Sequence, residues 1–145
     1  FFQAHPGIRD SVASRGLGDV YKRQVKNGHI GEIVGRFEKR GFKILYIRML
    51  ELNSSQASNF YSLHNDKPFF QELVDYITSG AIVQIVLEGN SAISVVRSMV
   101  GATNSLEAMS GTIRGDLGLS HTQNVVHASD SKASFEREMA ILDTI

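Results

Sequence analysis

The chain contains no cysteine. That excludes a disulfide framework and any thiolate metal site. It also lacks a surplus of charge of either sign, with 15 Lys and Arg against 15 Asp and Glu in 145 residues. Without a global field, neither nucleic acid nor a membrane surface is the expected main partner. No apolar run reaches transmembrane length and no secretory signal is recognisable, so a soluble cytoplasmic protein is expected. No GxxxxGK loop occurs, which argues against a P-loop kinase. No internal repeat or low-complexity linker divides the chain, and its length suits one domain able to bury its own core.

Residues 1–24, FFQAHPGIRDSVASRGLGDVYKRQ, stand apart from the rest. They show no sustained helical or alternating pattern and hold Pro6 and three glycines. Ser14 to Gln24, SRGLGDVYKRQ, resembles a translated sequencing-library adapter. Residues 1–24 are therefore expected to be a foreign, adapter-derived segment, and residues 25–145 the domain proper.

From Val25 the periodicity becomes regular. Ile30, Ile33, Val34 and Phe37 share one helical face, Glu32 and Arg36 form an i,i+4 pair, and Gly41 stops the helix. Phe42 to Leu52 reads as a strand. Asn53 with Gln56 resembles a capping box, opening a helix to about His64. A further helix begins near Pro68, buries Phe70, Leu73, Val74 and Ile77, and ends at Gly80. Ala81 to Leu87 is nearly all apolar, as a central strand covered on both faces would be. Ala92, Val95, Val96 and Met99 stripe another helix, closed by Gly101. A loop leads to Gly111. Gln123 to His127 reads as the last strand. Lys132 to Leu142 reads as the last helix, with Phe135, Met139 and Leu142 inward and Asp130 or Ser131 as N-cap.

His127 sits at this strand-to-helix junction, where a side chain can face a cleft near the positive end of a helix dipole. That is a good place to handle phosphate. An imidazole titrates near neutrality and can act there as an unprotonated nucleophile. By spacing alone, a lone histidine is more often half-buried and held by backbone bonds.

GTIRGD (Gly111 to Asp116) followed by NVVHASDS (Asn124 to Ser131) resembles the signature of the nucleoside diphosphate kinases. The resemblance runs from about Val25 to about Leu142 and includes IGEIVGRFEKRGFKI, KPFFQELVDYITSG, VLEGNSAISVVRSMVGATN and SFEREMAI. It implies an α+β, ferredoxin-like fold: a four-stranded antiparallel sheet, βαββαβ, with helices on one face and extra helices, its first strand missing or replaced. It implies that His127 accepts phosphate and that Glu138 orients its imidazole. Arg97, Thr103 and Arg114 match phosphate-contacting positions, Phe69 the aromatic that stacks on the base, and Asn124 the sugar-contacting amide. Tyr61 and Ser129 match positions beside the histidine. Without the resemblance, Glu138 would read as a solvated helix charge, Arg97 and Arg114 as surface cations, and Phe69 as core. His5, His29, His64 and His121 match no role, and their spacing suggests no metal cluster.

The sequence departs from the family pattern at several places. The Lys-Pro-Asp segment that normally precedes the position of Val25 is absent. Counting back without a gap places Tyr21 over the family's lysine, with Leu17 to Tyr21 over the missing strand. Gly18 and Asp19 are poor residues for a central strand. Ala128 replaces a commoner glycine, and His121 stands where an apolar residue usually meets the base. Ser105 and Ser110 replace prolines, at roughly 0.4–1 kcal/mol each where proline fits.

The resemblance implies a ping-pong exchange of γ-phosphate between nucleoside triphosphates and diphosphates. Mg²⁺ would be carried on the nucleotide phosphates rather than in a protein-built metal site. A homo-oligomer, tetramer or hexamer, is implied as well. An alternative from another class is a nucleotide-binding or assembly module with little turnover, because the first strand and its lysine are gone. A third is a gene fragment joined to adapter, which the DNA upstream of the Val25 codon would decide.

Overall fold

A computed structural model of the chain describes residues 2–6, 11–19, 29–118 and 126–145. In the first two segments it describes the strands alone. Strands β1 (Phe2–Pro6) and β2 (Ser11–Asp19) come first. Helix α1 (His29–Arg40) leads into strand β3 (Lys43–Leu50). Helix α2 (Ser54–Phe60), a 3₁₀ turn (Ser62–His64) and helix α3 (Phe70–Ile77) follow. Strand β4 (Ile82–Asn90), helix α4 (Ala92–Val100) and helix α5 (Ile113–Leu117) precede strand β5 (Val126–Ala128) and helix α6 (Lys132–Leu142).

The sheet order is β1-β5-β2-β4-β3, with β1 also paired to β2. β2 is central: Ser11 to Arg15 lie antiparallel to β4, and Gly16 to Gly18 antiparallel to β5. β1 and β5 share one side of β2 in succession, Phe2 to Pro6 against Val12 to Gly16 and β5 beyond them. At most levels the sheet is therefore four strands wide, as the ferredoxin-like reading requires, although five strands build it.

Here the structure corrects the sequence reading. The first strand is expected to be missing or replaced, with Leu17 to Tyr21 lying over its place. The strand that fills the central place is Ser11–Asp19, and it includes Gly18 and Asp19. β4 and β5 present backbone donors and acceptors on facing edges, and a ladder is satisfied by backbone whatever the side chains. Tyr21 lies outside the described residues.

Two apolar clusters hold the helices to the sheet. In one, Ile33 and Phe37 of α1 and Ala92, Val96 and Val100 of α4 meet Val83, Ile85 and Leu87 of β4. In the other, Ala57 and Phe60 of α2, Val74 and Ile77 of α3 and Leu142 of α6 meet Ile82 and Leu50. Successive strand residues point to opposite faces, so apolar packing at both Ile82 and Val83 accounts for the unbroken hydrophobic run of β4. β3 is an edge strand. Its Leu45, Ile47 and Met49 are 40%, 45% and 54% exposed.

Local signals were largely realised. Gln56 N–H donates to Asn53 Oδ1 at 2.9 Å and Asn53 N–H to Gln56 Oε1 at 2.8 Å, completing the capping box. The α-helix it opens stops at Phe60, short of His64, and the chain tightens into the 3₁₀ turn. Ser131 is the N-cap of α6, accepting from Ser134 N–H at 3.1 Å. Gly41, at φ +97°, takes the left-handed conformation that ends α1. The last strand is observed at Val126–Ala128, and residues 119–125 lie outside the described residues. Helix α5 was not anticipated: Thr112 caps it through Gly115 N–H at 3.0 Å, and its five residues are too few to show a period. Among the described residues no helix is long and apolar enough to cross a membrane.

Candidate active site

His127 is the middle residue of β5, between buried Val126 and Ala128. Its side chain is 30% exposed. Phe60 and Tyr61, at the end of α2, meet the imidazole edge to face, with ring centres 5.8 Å and 6.3 Å away. On the next helix Glu138 is buried, and its Oε1 lies 3.2 Å from His127 Nε2. The hydroxyl of Ser129 donates to Glu138 Oε2 at 2.7 Å. The carboxylate is thus held from both sides. A carboxylate only accepts, so His127 Nε2 carries the proton and the neutral ring keeps its lone pair on Nδ1.

Burial lowers the pKa of His127 below the usual imidazole value. Glu138 opposes this, and the charge of Arg114 adds to the lowering. The imidazole is therefore neutral at neutral pH.

Two guanidinium groups bracket the histidine along its own strand. Arg114 of α5 donates to the carbonyl of Val126 at 2.8 Å and to that of Gly101 at 3.1 Å. Arg97 of α4 donates to the carbonyl of Ala128 at 3.3 Å. Arg114 is buried, and burial, with the charge of Arg97 next, lowers its pKa to about 10. It stays charged at neutrality, and its Nε has no partner among the described residues. Such cations suit an anion arriving at Nδ1.

The segment that carries Arg114 is tied back to α1. Arg36 donates to Asp116 Oδ2 at 2.8 Å, to Glu32 Oε1 at 2.6 Å and to the carbonyl of Gly111 at 3.2 Å. Gly111 N–H in turn donates to Asp116 Oδ1 at 2.9 Å. The bond from Gly111, then that from Arg36, holds the Asp116 carboxyl below its usual value.

The structure thus gathers His127, Glu138, Ser129, Tyr61, Arg97 and Arg114. Thr103 is exposed, two residues beyond the Gly101 carbonyl that Arg114 grips. Phe69 is half-buried just before α3, its ring 6.2 Å from that of His64, a histidine given no role above. Asn124 and His121 lie outside the described residues. Ala128 is extended, so the glycine it replaces is not demanded by backbone conformation. The reading of Glu138 as a solvated charge fails, because its helix turns it inward beside Phe135 and Leu142. Two neighbours of the site went unnoticed in the sequence, Phe60 and Arg137. Each precedes a recognised residue, but adjacency on a helix says nothing about a shared face. A cavity of about 290 Å³ lined by Arg40, Ser94, Val95, Ser98 and Met99 holds none of these residues.

A helix-backed, mainly antiparallel sheet that presents a carboxylate-oriented histidine between two guanidiniums has the chemistry a phosphotransfer protein needs. Comparison with known proteins gives the particular family. The family model described as nucleoside diphosphate kinase matches residues 21–142. The chain is 55% identical over 117 residues to a nucleoside diphosphate kinase of Archaeoglobus fulgidus, covering 81% of this chain and 78% of that one. It is 47% identical over 130 residues to one of Saccharolobus solfataricus, covering 90% and 94%. Among solved structures, the Aquifex aeolicus nucleoside diphosphate kinase superposes with a TM-score of 0.82 at 38% identity, over 90% of this chain and 94% of that one. That of Halobacterium salinarum in complex with CDP does so with a TM-score of 0.82 at 37% identity, over 89% and 85%. The chain belongs to the nucleoside diphosphate kinase family, a family of phosphotransferases.

Proposed function

We propose that His127 carries phosphate between nucleotides in two half-reactions. Nδ1 attacks the γ-phosphorus of a nucleoside triphosphate, the N–P bond forms, the bond to the bridging oxygen breaks, and the diphosphate leaves with that electron pair. A terminal oxygen of a second nucleoside diphosphate then attacks the same phosphorus and Nδ1 leaves. No proton need move, because Nε2 keeps its hydrogen throughout and Glu138 offsets the positive charge that grows on the phosphorylated ring. Arg97 and Arg114 offset charge on the transferring oxygens, in a site where positioning does most of the catalysis. The observation that carries this reading is the hold of Glu138 on Nε2, which leaves Nδ1 as the nucleophile.

Thr103 adds a contact to phosphate, Asn124 one to the sugar, and Phe69 a stacking surface for the base. The charged groups beside His127 are mostly cationic, suited to phosphate oxygens rather than to a metal ion. These residues fit Mg²⁺ that arrives on the nucleotide phosphates, where it neutralises their charge. We place the reaction in the cytoplasm and in a homo-oligomer, tetramer or hexamer. The uncovered β3 edge with Leu45, Ile47 and Met49 supports an assembly.

A second reading, nucleotide binding and assembly with little turnover, is favoured by one observation. Ser11–Asp19 completes the sheet without bringing the family's lysine, for which Tyr21 offers only a neutral hydroxyl. The first reading is tested by incubation with γ-labelled ATP. Acid-labile phosphate should appear on the chain and vanish in His127→Ala; labelling that persists in the variant would overturn the mechanism.

A further inference from the structure

Arg137 has no place in the transfer described above, yet it touches both walls around the histidine. Its Nη2 lies 3.7 Å from Glu138 Oε1, the same oxygen that faces His127 Nε2 at 3.2 Å. Its Nη1 donates to the carbonyl of Phe60 at 3.2 Å, and the ring of Phe60 stands edge-on to the imidazole. Its Nε is buried and has no partner among the described residues, so the side chain is seated rather than loose.

We infer that Arg137 is a positioning residue for His127: by sharing Glu138 Oε1 it limits the carboxylate's hold on the imidazole proton, and through Phe60 it fixes the wall beside the ring. This rests on the reading of His127 as phosphate acceptor and deepens it.

Glu138 Oε1 faces two partners, the imidazole of His127 and the guanidinium of Arg137. An unopposed buried carboxylate beside an imidazole favours the imidazolium, which has no lone pair for phosphorus. A guanidinium on the same oxygen lowers the negative potential that the ring feels. Among the described residues, the other charged or titratable groups that border His127 include Glu138 itself on α6, Tyr61 at the end of α2, Arg97 on α4 and Arg114 on α5, and the charge of the chain's amino terminus acts on the ring as well. Of the cations, Arg97 and Arg114 are fastened to strand carbonyls and do not share Glu138 Oε1 in this way. Arg137 alone among these three stands against the carboxylate. Its position on α6, one residue from Glu138, means the two move together if the helix shifts.

The test reads the imidazole directly. The ring nitrogens of His127 are titrated by ¹⁵N NMR in the full chain, in Arg137→Gln and in Arg137→Lys, alongside the pH profile of phosphotransfer. In Arg137→Gln the midpoint of His127 should move to higher pH, and the acidic limb of the profile should move with it. Arg137→Lys, which keeps the charge, should hold the midpoint near that of the parent. If the glutamine variant does not fold, Arg137→Met keeps the aliphatic stem and should give the same shift. A merely structural role would lower thermal stability and leave the midpoint in place; an unmoved midpoint in the neutral variant overturns the inference. The titration can be read whether or not His127 takes phosphate, so loss of labelling would count against the acceptor role alone.

Discussion

Glu138 and His127 meet across a strand-to-helix turn, Oε1 to Nε2 at 3.2 Å, while Ser129 holds the other carboxylate oxygen at 2.7 Å. The geometry makes a tautomer statement. As long as Glu138 only accepts, the proton of the neutral ring stays on Nε2.

Glu138→Gln tests that statement with almost no change of shape. Ser129 would keep donating to the amide oxygen, which turns the amide NH₂ toward Nε2. The ring would then have to accept at Nε2 and carry its proton on Nδ1, the wrong tautomer for attack. We expect kcat to fall by roughly 10²–10⁴-fold, with nucleotide KM little changed, in steady-state assays. An unaltered kcat would remove Glu138 from the mechanism.

The pH dependence follows from the lowered pKa of His127. The nucleophile is the neutral form, so phosphorylation of the chain should persist below the usual imidazole value of 6.5 and fail only at more acidic pH. Stability carries the same sign. The unfolded chain binds this proton more readily than the folded one, so the contribution is fully present above about 6.5 and is lost as pH falls toward the folded pKa. Thermal unfolding measured across this window in the parent and in His127→Ala should show a slope in the parent that the variant reduces. A profile whose acidic limb lay above the ordinary imidazole range would contradict the burial argument.

Phe69→Ala should weaken every nucleotide to a similar extent, at about 1–3 kcal/mol, because stacking engages the face of a base and not its edge. Phe69 is only half-buried, so the loss should appear in binding far more than in thermal stability. Isothermal titration with purine and pyrimidine diphosphates decides it; a loss confined to one base would rule out stacking as the main contact.

We propose that residues 1–24 are foreign to the domain. β2 then completes the sheet through backbone pairing, while the family's strand and its lysine are replaced. A protein whose first 24 residues are exchanged for a family-type strand and Lys-Pro-Asp turn should unfold at higher temperature and turn over much faster. Equal unfolding temperature and equal turnover in the two proteins would show that residues 1–24 are a working N-terminus.

How legible the site was depended on the range of each interaction. Asn53 with Gln56, Ser131 before α6 and the apolar run of β4 could be read because caps and periodicity act over a few residues. Glu138 shows the limit. It lies three residues after Phe135 and four before Leu142, so an acidic residue stood on the buried stripe of α6. Periodicity held that signal, but not what would satisfy a buried carboxylate. Helix α5 escaped for the opposite reason, since a capped turn this short has no period to detect.

The sequence by itself determined the order of the longer elements after Val25, the caps at Asn53 and Ser131, and the family to which the chain belongs. These rest on local backbone preferences and on motifs that survive as strings. Tertiary structure alone decided which segment fills the centre of the sheet, and it chose Ser11–Asp19, because a ladder selects extended backbone and not a side-chain pattern. It alone showed Arg114 and Arg97 gripping the carbonyls on either side of His127, and Arg137 gripping that of Phe60. Those bonds join residues far apart in the chain, and a hydrogen bond depends on distance and angle in space, which the spacing of letters does not encode.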